Sequence, residues 1–387
     1  MTAKSRWTGR AVTLLLAAVA AALLFWAWRA ELTWFCRRWG LEARHAYFAS
    51  IGRVLAALLA ALLVAVARPL GRAASRTGAR ESLFTVLRYS VALGAALVAG
   101  ELGARALHLP RTKDPAETAG VSLGERHPRY GWVFKASQVL VTRVGGRDVE
   151  LALNAEHDRA RSIDRAYDLG AETILFAGES ITAGHGLAWD ETYPALVGLA
   201  LGAQVVDLGV DGYGSDQAFL RLADTLPRFE RPSAVVTFFI PTMVDRLARI
   251  DHPRVEFDGL EVKVLPPDVG WRRLHLVQAF YGAFEYRDEG TIARAAEVVR
   301  ETARLAKARG ARPLFVAPFL GVGPRQDGYL VDVLFRQQGL PVIEPDIQYV
   351  RLPGDYHPNA ESTRLLADAV VHALQAEEAF GAPLRVH

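Results

Sequence analysis

The chain has 387 residues, a formal net charge of +3 and 51% hydrophobic residues. That length allows roughly two or three domains, and the apolar excess sits toward the N-terminus. The single cysteine, Cys36, excludes an intramolecular disulfide framework and a cysteine-rich zinc site. Much of the arginine lies beside apolar runs, which points to a membrane and away from nucleic acid.

Lys4, Arg6 and Arg10 precede an apolar run from Ala11 to Trp28, long enough for a bilayer core, where about 17–25 residues suffice. No small-residue cleavage site follows, and Trp26, Trp28, Trp34 and Phe35 resemble interfacial anchors, so an anchor is favoured over a signal peptide. A second run covers Ile51 to Ala67. A third, Phe84 to Gly103, carries Arg88 and Glu101 near its ends and reads either as a span or as an amphipathic or buried helix. Three spans with the N-terminus inside place Arg68, Arg72, Arg76, Arg80 and Arg88 on the cytoplasmic side and everything after about Leu107 outside it. Two spans would leave the rest of the chain cytoplasmic.

The expected organisation is a membrane region over 1–108, a linker and small β lead-in over 109–170, and an α/β domain over 171–387 with an insert at about 249–290. In the lead-in, YGWVF, QVLVTRV and DVELALN are β-type, and Gly145-Gly146 is a hairpin turn. His157, Asp158, Arg159 and Arg161 read as a solvated turn. Strands are expected at Thr173–Ala177, Gln204–Leu208, Ala234–Ile240, Pro313–Ala317 and Pro341–Ile343. Helices are expected at Glu191–Leu201, Asp216–Leu226, Thr291–Arg309, near Tyr329–Gln338, and at Ala360–Glu378, with Ser215 an N-cap and Gly310 a stop. Short apolar strands alternating with helices predict a parallel sheet covered on both faces. The Pro- and aromatic-containing insert has the character of a lid or substrate wall, and His275 within it is a candidate wall residue.

The stretch TILFAGESITAGHG (Thr173–Gly186) ends a buried strand at Gly178-Glu179-Ser180. Small hydroxyls at the carboxyl ends of such strands are well placed as nucleophiles; a capped strand-to-helix turn is the other reading. Among ten histidines, His357 stands out. It lies in Gly354-Asp355-Tyr356-His357-Pro358-Asn359, a loop that a parallel sheet returns to the Ser180 end. There Asp355 could orient the imidazole; a helix-capping turn is the alternative. His185, on the same turn as Ser180, is set to shape that turn. GESITAGHG lacks the Gly-Lys-Ser/Thr ending of a phosphate loop, and the chain shows neither metal-ligand spacing nor a cofactor motif.

GESITAG, VVDLGVDGYGSDQ and DYHPN, in that order on alternating β/α elements, resemble the SGNH (GDSL-type) hydrolase superfamily. YGWVF, LALNAEHDRAR and WDETYPALV resemble the lead-in of bacterial members that follow a membrane helix. The resemblance covers about Arg129 to the C-terminus. It implies a three-layer α/β/α fold with a flavodoxin-like parallel sheet, here preceded by transmembrane helices. It implies Ser180 as nucleophile, His357 as base, Asp355 as its orienting acid, and the Ser180 and Gly212 amides as oxyanion donors. Glu179 replaces the usual aspartate, and Asp355 stands two residues before His357. Asp207 occupies a place that often holds Asn and reads as structural. The block after the third strand, where the family has an Asn donor, reads TFFIPTMVDR; Thr242 is the candidate substitute. Losing one such donor typically costs about 10²–10³-fold in turnover.

The expected function is therefore a membrane-anchored serine esterase or O-acyltransferase that needs no cofactor. Its partners would be an acylated small molecule or envelope glycan and the lipid bilayer, with no nucleic acid. It would sit in the bacterial inner membrane with its catalytic domain periplasmic. A non-catalytic envelope protein that keeps the fold for glycan or protein binding is the alternative.

Overall fold

The computed structural model describes residues 3–29, parts of 57–72, 79–106, 123–247, 253–258, 261–266, 274, 289–318, 324–347 and 349–376. It divides into two compact units, Met1–Arg111 with Arg273–Tyr286, and Thr112–Arg272 with Arg287–His387.

In the first unit, helix α1 spans Ala3–Arg29 and α2 spans Ala79–Ala106. Thr13 Oγ1 donates to the Ala67 carbonyl at 3.2 Å, and Arg105 pairs with Glu101 one turn earlier at 2.9 Å. Against the expectation of spanning helices, no helix among the described residues is long and apolar enough to cross a membrane. In α2 only residues 89–100 are free of charge between Arg88 and Glu101, short of the roughly 17–25 that a span needs. Most of the run from Ile51 to Ala67 lies outside the described residues.

The second unit is built on an eight-stranded sheet. Its strands are β3 (Gln138–Val144), β4 (Arg147–Leu153), β5 (Arg159–Ala160), β6 (Glu172–Ala177), β7 (Gln204–Asp207), β8 (Arg231–Phe238), β11 (Arg312–Val316) and β12 (Val342–Ile343). The order β12-β11-β8-β6-β7 is parallel throughout. Numbered from β6, it is the flavodoxin-like order 2-1-3-4-5 expected of a doubly wound sheet. The side-chain period of two divides each strand between two cores. Ile174, Phe176, Val236, Phe238, Leu314 and Val316 face one core, with Tyr193 and Val197 of α4 (Tyr193–Leu201) and Leu366 and Val370 of α9 (Ala360–Gln375). Leu175, Val235 and Phe315 face the other side. There α5 (Ser215–Thr225), α7 (Glu289–Ala308) and α8 (Pro324–Leu334) supply Leu222, Val299 and Leu330.

The β3–β4 hairpin, turned at Gly145-Gly146, joins through β5 to the open edge of β7 and lengthens the same sheet. A separate hairpin of β1 (Gly124–His127) and β2 (Gly131–Phe134) carries YGWVF. The expected solvated turn at His157–Arg159 is also corrected. His157 takes a left-handed φ of 64°, and this turns the next two side chains inward, where Asp158 and Arg159 are buried. Asp158 accepts from Arg221 Nη2 at 2.6 Å, a pair that offsets the cost of burying either charge. Arg161 is exposed as expected. The cap of α5 is Gly214, whose amide donates to Gln217 Oε1 at 3.0 Å, so Ser215 is the first helical residue. Gly310 ends α7 with φ 74°. Of the insert, β9 (Arg254–Asp258) and β10 (Glu261–Leu265) form a hairpin that lays Val255 and Phe257 on Phe219 and Val298. His275 lies outside the described residues.

Candidate active site

Strand β6 ends at Ala177, and the chain turns at Gly178 into a single helical turn, α3 (Ser180–Ala183). A Cβ at Gly178 would lie 2.1 Å from Thr182 Oγ1, so only glycine admits this close turn. Glu179 caps the turn, its Oε1 accepting from the Ile181 amide at 2.9 Å. Ser180 is thereby held at the carboxyl end of the sheet, 6% exposed.

The loop between β12 and α9 brings the other two groups. Asp355 Oδ1 accepts from the His357 amide at 2.8 Å and lies 2.5 Å from His357 Nδ1. His357 Nε2 lies 2.7 Å from Ser180 Oγ. With Nδ1 protonated toward Asp355, Nε2 is the lone-pair nitrogen that can take the serine proton. Burial acts to raise the Asp355 carboxyl, but the His357 amide and ring and the His185 charge outweigh it and hold it below the ordinary carboxylate value. The capping alternative holds beside this one. Asn359 Oδ1 accepts from the Ser362 amide at 2.9 Å and starts α9, while Asp355 and His357 face the serine.

Gly212 has φ 81°, and among the described residues neither its amide nor that of Ser180 has a hydrogen-bond acceptor. Its loop is braced by the lead-in. Trp132 Nε1 donates to the Asp211 carbonyl at 2.9 Å, and the Tyr213 hydroxyl donates to the Trp132 carbonyl at 2.6 Å. Asp207 Oδ1 holds the Gly209 amide at 2.9 Å, the structural part expected of it. Burial pushes its carboxyl up to about 8.

Thr242, the candidate third donor, is exposed on α6 (Pro241–Leu247) and makes no hydrogen bond among the described residues. Other residues also reach the site: His185, expected to shape the serine's turn, and further groups that the sequence did not announce. His185 stacks on His357, with ring centroids 4.3 Å apart, and its Nδ1 lies 2.8 Å from Asp211 Oδ2. Buried Arg159 donates to the carbonyls of Ala183, Gly184 and Leu187, fixing the turn that follows Ser180. Arg246 Nη1 donates to the Tyr213 carbonyl at 2.7 Å and lies 3.6 Å from Glu179 Oε2. Glu179 Oε2 in turn touches Ser180 Oγ. A carboxylate one methylene longer than aspartate was a readable signal for that last contact. The others depend on loops meeting in space.

His185, Asp355 and His357 present ligand atoms within 4.8 Å of one another. A metal there would compete with the His357–Ser180, His357–Asp355 and His185–Asp211 hydrogen bonds.

Fold and site together define an α/β protein of flavodoxin-like strand order with a serine–histidine–aspartate constellation at the carboxyl edge of its sheet. No protein-family model and no curated protein matches the chain. Among solved structures it is similar to a lipolytic G-D-S-L family protein from Desulfitobacterium hafniense, at 12% identity and TM-score 0.35, covering 52% of this chain and 98% of that one. It is similar to a GDSL-like lipase from Bacteroides thetaiotaomicron, at 16% identity and TM-score 0.33, covering 53% and 88%. It is also similar to an acetyl xylan esterase from Butyrivibrio proteoclasticus, at 11% identity and TM-score 0.33, covering 56% and 67%.

Proposed function

We propose that the chain is an SGNH-type serine hydrolase or acyltransferase that acts on an acyl ester. The observation that carries this is the continuous contact from Asp355 through His357 to Ser180 Oγ. In this reading Ser180 Oγ attacks the acyl carbonyl carbon while His357 Nε2 accepts its proton. The Ser180 and Gly212 amides donate to the oxygen that becomes negative. Collapse expels the alcohol, which takes the proton back from His357 and leaves an acyl-serine. Water then frees the acid, or a second hydroxyl takes the acyl group. Asp355 stabilises the imidazolium in both halves.

The wider assignment is an envelope enzyme on an acylated glycan. The N-terminal unit would sit against a lipid bilayer, with the α/β unit on the extracytoplasmic side. Exposed Leu14, Leu15 and Phe25 of α1, and Val91, Leu97 and Val98 of α2, support contact with lipid. The arginine bias supports the orientation. The test of the chemistry is hydrolysis of short p-nitrophenyl esters by the full chain, with Ser180→Ala as control. Equal rates for the two proteins would remove the assignment.

A second reading, a non-catalytic binding protein on the same fold, is favoured by one observation: exposed Thr242 stands where the family has its Asn donor. A fluorophosphonate probe decides between them, since only an activated Ser180 is labelled.

A further inference from the structure

The oxyanion site has a third donor that the sequence blocks do not mark. We propose that it is the Arg246 guanidinium, doing the work of the absent Asn; this rests on the hydrolase reading above. Arg246 projects from α6, the helix that follows the third parallel strand, so it comes from the same part of the fold as the family's Asn. Its Nη1 is fastened to the Tyr213 carbonyl at 2.7 Å, one residue beyond Gly212. The same nitrogen lies 3.6 Å from Glu179 Oε2, the oxygen that touches Ser180 Oγ. The guanidinium therefore lies between the loop that carries Gly212 and the turn that carries Ser180. An arginine carries five N–H donors. Among the described residues its Nε and Nη2 make no hydrogen bond, and the side chain is 21% exposed, so donors remain for a ligand. A full positive charge beside a developing oxyanion does what an amide does, and does so more strongly in a site screened from water.

The bland account is that Arg246 only neutralises buried Glu179, which is 1% exposed. Four proteins separate the two: wild type, R246A, E179Q, and E179Q/R246A. E179Q removes the charge that needs a counter-ion and keeps an oxygen to cap Ile181. The rate of fluorophosphonate labelling at Ser180 is the readout, because phosphonylation also develops charge on the oxygen held by the donors and needs no known substrate. Direct participation predicts labelling about 10²–10³-fold slower in R246A than in wild type, and slower by a like factor in E179Q/R246A than in E179Q. Equal rates in the last pair would overturn the proposal and leave the hydrolase reading intact. An E179Q protein that is folded yet unlabelled would also overturn it, because the loss would then lie with the Glu179 contact on Ser180 Oγ and not with Arg246. If R246A does not fold, the comparison of E179Q with its double variant decides alone. If that double variant also fails to fold, Arg246 is needed for the fold through its Tyr213 carbonyl contact, and the proposal falls. Wild type that is never labelled sinks the hydrolase reading and this inference together.

Discussion

His185 lies flat against His357, with the two rings 4.3 Å apart at 28°. The first ring is anchored by Asp211 at 2.8 Å, and its free nitrogen lies 3.9 Å from Asp355 Oδ2. One histidine thus supports the ring face and the carboxylate that the other depends on. His185→Leu keeps apolar bulk but loses both attachments. Its kcat for a p-nitrophenyl ester should fall roughly 10–100-fold with little change in KM, because a nucleophile and base misaligned by an ångström lose about two orders of magnitude. A change confined to KM would show that His185 serves substrate binding.

The same pair sets a pH dependence of stability. Burial acts to lower His185, but the Asp211 hydrogen bond and the charges of Asp211, Asp355 and Glu179 outweigh it, so its pKa rises above 6.5. Burial acts to raise Asp211, and the His185 hydrogen bond and charge bring it below 3.8. A raised histidine stabilises fully below its unfolded pKa, and the effect is lost as pH climbs through the folded value. A depressed carboxylate stabilises above its unfolded pKa and loses the effect as pH falls through the folded value. The stability difference between wild type and His185→Asn should therefore be flat between about pH 4 and 6.5 and shrink on either side. Urea midpoints measured across pH read this out, and a difference that grows above neutrality would contradict it.

Gly209 packs its bare Cα against the turn that carries the serine. A Cβ there would stand 2.4 Å from the Ala183 amide nitrogen and 2.9 Å from the Thr182 carbonyl carbon. Backbone cannot step aside as a flexible side chain can. Gly209→Ala should cost about 1–3 kcal/mol in urea denaturation and lower ester hydrolysis, since α3 must shift to admit it. Unchanged stability with unchanged turnover would mean that the loop yields freely.

Arg221 and Asp158 form a pair whose side chains are 3% and 2% exposed. Removing one partner strands a buried charge, so Arg221→Leu should lose about 3–5 kcal/mol by chemical denaturation. The double variant D158N/R221L should recover part of that loss, because the stranded carboxylate is gone. A double variant no more stable than R221L would show that packing, rather than charge, is what Arg221 supplies.

Much of this site was readable before the fold. Gly178-Glu179-Ser180 after an apolar β run, and Asp355 with His357 before the last helix, are local patterns, and the alternation of strand and helix brings both to one sheet edge. The Gly145-Gly146 turn and the Gly310 stop were legible for the same reason: each is dictated by neighbours in the chain. The turn at His157–Arg159 misled because charged residues there look solvated. Arg221, far along the chain on α5, makes the burial of Asp158 possible, and the carbonyls of Ala183, Gly184 and Leu187 make that of Arg159 possible.

What the sequence alone determined is the alternating α/β order and the identity of the serine, histidine and aspartate, since strand period and turn chemistry are written locally. What only the tertiary structure decided is which groups surround them. His185 on the face of His357, Arg159 under the serine turn and Arg246 beside Glu179 are meetings of separate loops. They depend on how helices and loops pack at the end of the sheet, a relation that no stretch of neighbouring residues contains.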